Sequence, residues 1–243
     1  PAGTLVITHG QAEHSECYLR LVEGIAALNW RIVAWDLRGH GRSEGKRGYA
    51  QSIDEYVRDM SLFCSRVMPK YQGHHFYLGH SLGGLIQMSL FVEEQIPHLG
   101  LAFSAPLFGL SVQVPKIKAG PAKLIHKLAP KFTLFNELKY SDLSRDPAIP
   151  LEYKKDPLRH EWISAGVFLS MTQAFVDIPN KVGSLRSPVL FQQGSDDRIV
   201  SREACEEVYE KIPSKNKQMK IYPGAYHEIY NDLCREEAYA DLM

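Results

Sequence analysis

HFYLGHSLGG, residues 75–84, is the stretch that decides the fold. An apolar run leads into the pentapeptide GHSLG, and the helix-forming run 85–90 follows at once. In a strand, tight turn and helix of this kind, glycines at the flanking positions avoid clashes and the serine hydroxyl is lifted clear of the sheet. The pattern therefore predicts that Ser81 is a nucleophile at the end of a strand.

Strand and helix patterns alternate on both sides of this turn. Short β-branched or apolar runs indicate strands, and apolar residues at three- or four-residue steps indicate the helices between them. The predicted strands are 4–8, 31–35, 75–78, 99–104, 188–192 and 218–222, and the predicted helices are 16–28, a helix between Ser52 and Pro69, 85–90, 201–211 and one after His227. Such alternation predicts a mostly parallel sheet that is flanked by helices on both faces.

The alternation stops between Pro106 and Leu185. This stretch reads as short helical segments that are interrupted by prolines. We expect residues 106–184 to form an inserted helical cap, and residues 1–105 and 185–243 to form the core.

Composition and net charge disfavour nucleic-acid binding as a function. The 243 residues are 44% hydrophobic and 23% charged, with 28 basic and 28 acidic side chains. A net charge of zero gives no field that would attract nucleic acid, so nucleic-acid binding is disfavoured.

Cysteine and histidine spacing indicates neither a disulfide framework nor a metal site. The four cysteines lie far apart, no CxxC occurs, and His227-Glu228 lacks the second histidine of an HExxH motif. No apolar run of about 18 residues and no signal-peptide pattern is present. We expect reduced thiols, no metal, no cofactor and a cytoplasmic location. Because the sequence starts at Pro1 rather than Met, we also expect natural residues before it.

A serine nucleophile needs a histidine base, and the histidine needs a carboxylate that fixes its tautomer. On a parallel sheet these partners belong in loops at the carboxyl ends of later strands. Asp196 and Asp197 follow one such strand, and His227 follows the next. The order serine, aspartate, histidine is the one expected of this architecture, and the spacing alone leaves the two aspartates open.

The negative oxygen of a tetrahedral intermediate needs two fixed N–H donors. The first is the backbone N–H of Leu82, directly after the nucleophile at the start of a helix. The second should come from an earlier strand-end loop, where the backbone N–H of Gln11 in His9-Gly10-Gln11 is the candidate.

With these residues assembled, the chain resembles the α/β-hydrolase superfamily and, within it, the monoacylglycerol lipase and lysophospholipase group. The resemblance runs from His9 to His227. The segments that carry it are HGQAEHSECY (9–18), DLRGHGRSEGKRG (36–48), GHSLGG (79–84), LSRDP (143–147), DPL (156–158), GSDDRIV (194–200) and IYPGAYHE (221–228).

The resemblance implies several roles. It selects Asp197 over Asp196 as the acid, and it implies a monoacylglycerol whose head group lies near Glu13 and His80 with its acyl chain under the cap. Mammalian members place an arginine where this chain has Cys17. The implied reaction is hydrolysis of the glycerol ester through an acyl-enzyme on Ser81, without a cofactor.

Three alternatives stay open at this stage. A lysophospholipase and a broad carboxylesterase share all of the chemistry and differ only in the pocket. A non-catalytic ligand-binding protein on the same fold is the remote third, since folds are widely reused. Epoxide hydrolases and haloalkane dehalogenases carry an aspartate at the turn, so Ser81 disfavours them.

Residues 121–131, PAKLIHKLAPK, carry an apolar stripe and lysines at every fourth position. One interpretation is an interfacial helix of the cap that touches a lipid surface transiently, with its lysines toward phosphate. The other is a solvated lid helix whose leucines pack on the core.

Overall fold

A computed structural model describes residues 2–111, 119–136 and 138–243. Pro1, residues 112–118 and Glu137 lie outside the described residues, so part of the predicted cap does as well. The strands are β1 (Thr4–Thr8), β2 (Arg31–Trp35), β3 (His75–His80), β4 (Gly100–Ser104), β5 (Thr133–Phe135), β6 (Trp162–Ser164), β7 (Val189–Gly194) and β8 (Lys217–Tyr222). The helices are α1 (Leu19–Gly24), α2 (Ile53–Arg66), α3 (Leu82–Phe91), α4 (Ala119–Leu128), α5 (Ala148–Lys155), α6 (Ala165–Lys181), α7 (Arg202–Lys211) and α8 (Arg235–Leu242).

Six strands form one parallel sheet in the order β2-β1-β3-β4-β7-β8. The predicted α/β fold with a mostly parallel sheet is confirmed. Because all six strands run in the same direction, their carboxyl ends meet at one edge of the sheet. The loops after β1, β3, β7 and β8, which carry the predicted site residues, therefore meet there.

Helices cover both faces of the sheet because side chains alternate along each strand. Val6 belongs to one buried cluster, with residues of α2, α3, α6 and α7. Leu5 and Ile7, its neighbours, belong to a second cluster with residues of α1 and α8. Because helices cover both faces, every residue of β1 is buried, as expected for a central parallel strand.

The predicted helix 16–28 is wrong in its length. A short 3-10 turn over Ser15–Tyr18 precedes α1, which ends at Gly24, and a second 3-10 turn follows. A Cβ atom on Gly24 would lie 2.3 Å from the ring of Tyr239 in α8. Close packing of α8 thus needs a glycine here, and glycine is a poor helix former.

The stretch between β4 and β7 differs from the short helical segments that were predicted. It contains an antiparallel pair of strands, β5 and β6, and α6 runs for 17 residues. The hydroxyl of Ser164 caps α6 by accepting from the N–H of Val167, and Pro179 lies near its end, where the missing N–H removes one hydrogen bond. The division into core and cap at residues 106 and 185 stays a prediction.

Candidate active site

Ser81 lies in a strained turn between β3 and α3. Its φ of 50° and ψ of −118° place a non-glycine residue in a sparsely populated region of backbone conformation. The turn is held on both sides, since the Ser81 N–H donates to Ser104 O at 3.0 Å and the Ser81 carbonyl accepts from Leu107 N at 3.0 Å. Backbone hydrogen bonds thus fix the orientation of the serine.

Glycine is required where α3 passes the end of β1. A Cβ atom on Gly83 would lie 2.2 Å from the carbonyl oxygen of Thr8. This close approach brings the first turn of α3, with the N–H of Leu82, next to the loop that follows β1. The two predicted N–H donors therefore come from neighbouring segments.

His227 and Asp197 are paired. Nδ1 of His227 lies 2.8 Å from Oδ2 of Asp197, whose side chain is fully buried. Gln193 also donates to this oxygen, while Oδ1 accepts from the N–H groups of Ile199 and Val200. Because a carboxylate accepts, the Nδ1–H of His227 is the donor and its Nε2 is free to take a proton.

Asp196 has a different environment. It is exposed, and its carboxylate accepts from the hydroxyl of Ser195. Of the two aspartates that sequence spacing leaves open, Asp197 is the one that contacts the histidine.

Nearby carboxylates raise the pKa of His227 by more than burial lowers it. Burial lowers the pKa of the imidazole, but the carboxylates of Asp197, Glu228 and Glu13 raise it above the ordinary 6.5 in total. The site therefore stabilises the imidazolium that a general base becomes.

The loop after β1 is fixed by the ring of His9. The Leu37 N–H donates to Nε2 of His9 at 2.9 Å, so Nδ1 carries the proton and donates to Gly10 O at 2.7 Å. Burial, with the nearby His40, lowers the pKa of His9 to about 3 and keeps the ring neutral. A Cβ atom on Gly10 would lie 3.0 Å from Cβ of Ser81, so this loop abuts the nucleophile.

Gln11 and Leu82 both line the cavity that contains Ser81. Within the described ranges, no protein group accepts a hydrogen bond from either backbone N–H. The Gln11 side chain is engaged elsewhere, since its amide donates to Trp162 O at 2.7 Å. The arrangement leaves two backbone donors that can face a developing oxyanion.

Glu13 and His80 both line the cavity and both lie next to Gly10, since a Cβ atom on Gly10 would be 3.1 Å from Oε1 of Glu13 and 3.3 Å from the ring of His80. Glu13 accepts from the Gly10 N–H and from the hydroxyl of Tyr18, and burial together with the charge of Glu228 raises its pKa. His80 is neutral, because burial and the adjacent His227 hold its pKa well below the ordinary value. Since Nδ1 of His80 donates to a carbonyl, that of Ser104, its Nε2 is an acceptor.

One cavity of about 980 Å³ joins these groups. Its lining combines polar groups, which include His80 and His227, with many apolar side chains, among them Leu134, Phe168 and Met171. The structure brings together all seven residues that the sequence predicts for the site. Six of them line the cavity, and the seventh, Asp197, contacts the cavity-lining His227.

Sequence reasoning missed Arg159 and Glu228. Both line the cavity, their side chains are almost fully buried, and Nη2 of Arg159 lies 3.3 Å from Oε1 of Glu228. Arg159 also donates to the thiol of Cys17 at 3.1 Å. The guanidinium of Arg159 thus contacts both Glu228 and Cys17. The only signal was the position of Arg159, directly after the DPL segment.

One group among the described residues has the geometry of a cation site: His14, Cys17 and Asp156. His14 already contacts Asp156 at 2.7 Å, and the positive guanidinium of Arg159 lies against the thiol of Cys17. A cation would meet charge repulsion there, so the donor set does not fit a metal well. Among the described residues, no helix combines the length and apolar character that spanning a bilayer requires.

Comparison with known proteins agrees with this geometry. Residues 1–234 match the family model described as serine aminopeptidase, S33. The chain belongs to this serine aminopeptidase S33 family. The predicted ester hydrolase of the α/β-hydrolase superfamily, similar to monoacylglycerol lipases, is confirmed.

Two relatives of this S33 hydrolase have the name monoacylglycerol lipase. That of Mycolicibacterium smegmatis is 30% identical over 237 residues, which cover 96% of this chain and 83% of the relative. The crystal structure of the Paleococcus ferrophilus enzyme superposes with a TM-score of 0.90 at 30% identity, covering 98% of this chain and 91% of the other. An uncharacterised abhydrolase domain-containing protein of Dictyostelium discoideum is also 30% identical, but the match covers only 25% of its length.

Proposed function

We propose that this S33 hydrolase cleaves the carboxylic ester of a monoacylglycerol to glycerol and a free fatty acid. The observation that supports it is the cavity of about 980 Å³, whose lining is largely apolar but includes polar groups together with Ser81 and His227. A single-chain lipid with a small polar head fits that combination. The names of the two relatives point to the same substrate.

The first half of the reaction acylates Ser81. His227 Nε2 takes the proton as Oγ attacks the ester carbonyl, and Asp197 stabilises the imidazolium. The backbone N–H groups of Gln11 and Leu82 bind the oxyanion, a contribution of several kcal/mol for such donors. The intermediate then collapses, and His227 returns the proton to the departing glycerol oxygen.

The second half releases the fatty acid. A water molecule gives its proton to His227 and attacks the acyl carbonyl, and the same two N–H groups bind the new oxyanion. Collapse breaks the bond to Ser81 Oγ, which regains its proton from His227. No redox step or metal enters this sequence.

The charges among the polar lining groups favour an uncharged head group. Glu13 and Glu228 carry acid groups there, and the guanidinium of Arg159 is already paired with Glu228. An anionic phosphate beside His80 would meet the carboxylates of Glu13 and Glu228 and a guanidinium that is already paired. A polyol, in contrast, can donate to Glu13 and His80. This balance favours the monoacylglycerol over a lysophospholipid.

Release of free fatty acid tests the proposal. We would compare a monoacylglycerol, a lysophosphatidylcholine of equal chain length and a short p-nitrophenyl ester, with Ser81→Ala as the inactive control. Preference for the monoacylglycerol is the expected result. If either of the other two substrates is preferred, the catalytic roles of Ser81, Asp197 and His227 still stand, but the proposed monoacylglycerol head group is wrong. A chain that a fluorophosphonate does not label at Ser81 would favour the non-catalytic alternative.

We further propose that residues 106–184 form a cap over the core, and that α4 brings the cap into transient contact with a lipid surface. Leu124 and Leu128 are 58% and 73% exposed rather than packed on the core. Lys123 and Lys127 are exposed beside them, which suits an anionic lipid surface. A cytoplasmic location belongs to the same proposal and agrees with the four free cysteines.

A further inference from the structure

Glu228, directly after His227, is a buried carboxylate with several donors. Its Oε2 accepts from the hydroxyl of Tyr153 and from Asn231 Nδ2 at 2.9 Å, and its Oε1 pairs with Arg159. Tyr153 belongs to α5 and Arg159 follows that helix, so two of the three donors come from the stretch between β4 and β7.

A second buried carboxylate holds the residue on the other side of His227. Asp232 Oδ2 accepts from the N–H of Tyr226 at 3.3 Å and from that of Arg145 at 2.9 Å. The Arg145 side chain donates to Oδ1 of Asp232 at 2.7 Å. The residues before and after His227 are therefore both tied to the stretch between β4 and β7.

The LSRDP segment, 143–147, makes these ties with successive residues. Leu143 O accepts from the Glu228 N–H at 2.8 Å, and the hydroxyl of Ser144 donates to Asn231 O at 2.8 Å. With Arg145, three neighbouring residues thus bind the loop that carries His227. None of them is needed for the chemistry of the triad, which leaves the purpose of the segment to be explained.

We propose that Glu228 is a positioning residue for His227, held by Tyr153 and Arg159. A carboxylate that accepts from three buried donors has little freedom, because each broken bond would leave a donor unsatisfied. The backbone of His227 shares that restriction. Misplacement of a catalytic group by about 1 Å costs on the order of 100-fold in rate, so restraint at this point has a large effect. The inference rests on His227 being the general base of the proposed function.

Glu228 also acts on His227 through its charge. The ionisable groups around the imidazole are Asp197, Glu13, Glu228 and the neutral His80, with Arg159 paired to Glu228. Loss of one of the three acids lowers the stability of the imidazolium. A change at Glu228 thus has an electrostatic effect that a purely structural residue would lack.

Two variants separate position from charge. Glu228→Gln keeps the size of the side chain and removes its charge, and Tyr153→Phe removes one donor and keeps the charge. Glu93→Gln is the matched control, because Glu93 forms an exposed ion pair with Lys181 at 2.6 Å. Each variant would be assayed across pH on a short p-nitrophenyl ester, with active sites counted by fluorophosphonate labelling and the thermal midpoint recorded.

We expect Glu228→Gln to lower kcat per labelled site by about 10- to 100-fold, with KM changed by less than about 2-fold. The pH below which this variant loses activity, the acid limb of its pH–activity profile, should move to lower pH. Tyr153→Phe should lower kcat by a smaller factor and leave the acid limb in place, and it carries the test if Glu228→Gln does not fold. The control should match the wild type in all three quantities.

The inference is overturned if both variants lower only the thermal midpoint, while kcat per labelled site and the acid limb stay at the wild-type values. That outcome would make Glu228 a structural residue. A wild type that neither hydrolyses the short ester nor takes the label would instead contradict the proposed function, so the two failures are distinct.

Discussion

Asp197 touches His227 with one carboxylate oxygen and holds its own loop with the other. Oδ2 is 2.8 Å from Nδ1 of His227, and Oδ1 accepts from the N–H groups of Ile199 and Val200. The aspartate is thus fixed independently of the histidine that it orients. Its two tasks can be separated by a substitution that preserves Oδ1.

Asp197→Asn should inactivate the enzyme without unfolding it. An amide in place of Oδ2 donates to Nδ1 of His227 and selects the tautomer in which Nε2 carries the proton and cannot act as a base. We expect kcat to fall by about 10⁴-fold. The control is Asp196→Asn, which should retain the wild-type kcat because Asp196 is exposed and contacts Ser195. Equal losses for the two variants would contradict the assignment of Asp197.

The pH dependence of kcat/KM should show an acid limb above pH 6.5. Burial lowers the pKa of His227, but the charges of Asp197, Glu228 and Glu13 raise it above that ordinary value. Because the protonated ring cannot accept a proton from Ser81, activity is lost as the pH falls through the raised pKa. A soluble ester gives the profile free of interfacial effects. A limb below pH 6.5 would show that burial dominates.

Three buried, neutral histidines should make the fold sensitive to acid. Burial, which is the largest cause, and neighbouring positive charge lower the pKa of His9, His40 and His160 to about 3, 4 and 3. Between pH 6.5 and these values the unfolded chain binds protons that the folded chain does not. The free energy of unfolding should therefore fall as the pH decreases, by about 1.4 kcal/mol per pH unit for each histidine.

Urea unfolding at several pH values measures that slope. The substitution His40→Asn should reduce the slope of the free energy of unfolding against pH by about 1.4 kcal/mol per pH unit, whatever stability the variant loses at neutral pH. His74→Asn, at an exposed position, should leave the slope unchanged. An unaltered slope in the His40 variant would mean that this ring binds protons equally in both states.

Charge reversal on α4 should affect lipid substrates selectively. The double variant Lys123→Glu, Lys127→Glu should lower hydrolysis on anionic vesicles by about 10-fold or more, since each basic residue near such a surface contributes about 1 kcal/mol. Hydrolysis of a soluble ester should not change. Lys154→Glu with Lys155→Glu, in α5, makes the same change of charge at another exposed site. Parallel losses on both substrates would reject contact of α4 with lipid.

Local sequence predicts the core strands well. β1 and β2 have the predicted bounds, because a short β-branched or apolar run with turn residues at its ends specifies a strand by itself; β1 is fully buried, whereas β2 lies at the edge of the sheet and is only partly buried. The loops at the ends of β3, β7 and β8 follow from the same alternation, which is why Ser81 and His227 could be named as candidates. The two adjacent aspartates could not be separated by spacing, and the structure distinguishes them by one contact.

Other features depend on contacts that no local pattern encodes. Arg159 and Glu228 are 69 positions apart, and nothing in the local pattern around either residue predicts that they pair. The break of the helix after Gly24 depends on Tyr239, far along the chain. Strands β5 and β6 are too short, at three residues each, for an alternating pattern to be recognised. In each case the partner is known only once the chain has folded.

Strands β4 and β7 are neighbours in the sheet although more than 80 residues separate them. The chain therefore leaves the sheet and returns to it at adjacent positions, and the length of the excursion does not disturb the strands that carry the triad. Its described residues before Leu143, which contribute Ile125 and Leu134 to the cavity wall, form no hydrogen bond with the histidine loop, so substitutions there can change which acyl chains fit. Its middle part, 143–159, is bound to the histidine loop. Exchange of acyl specificity between relatives should succeed when the donor segment ends before Leu143.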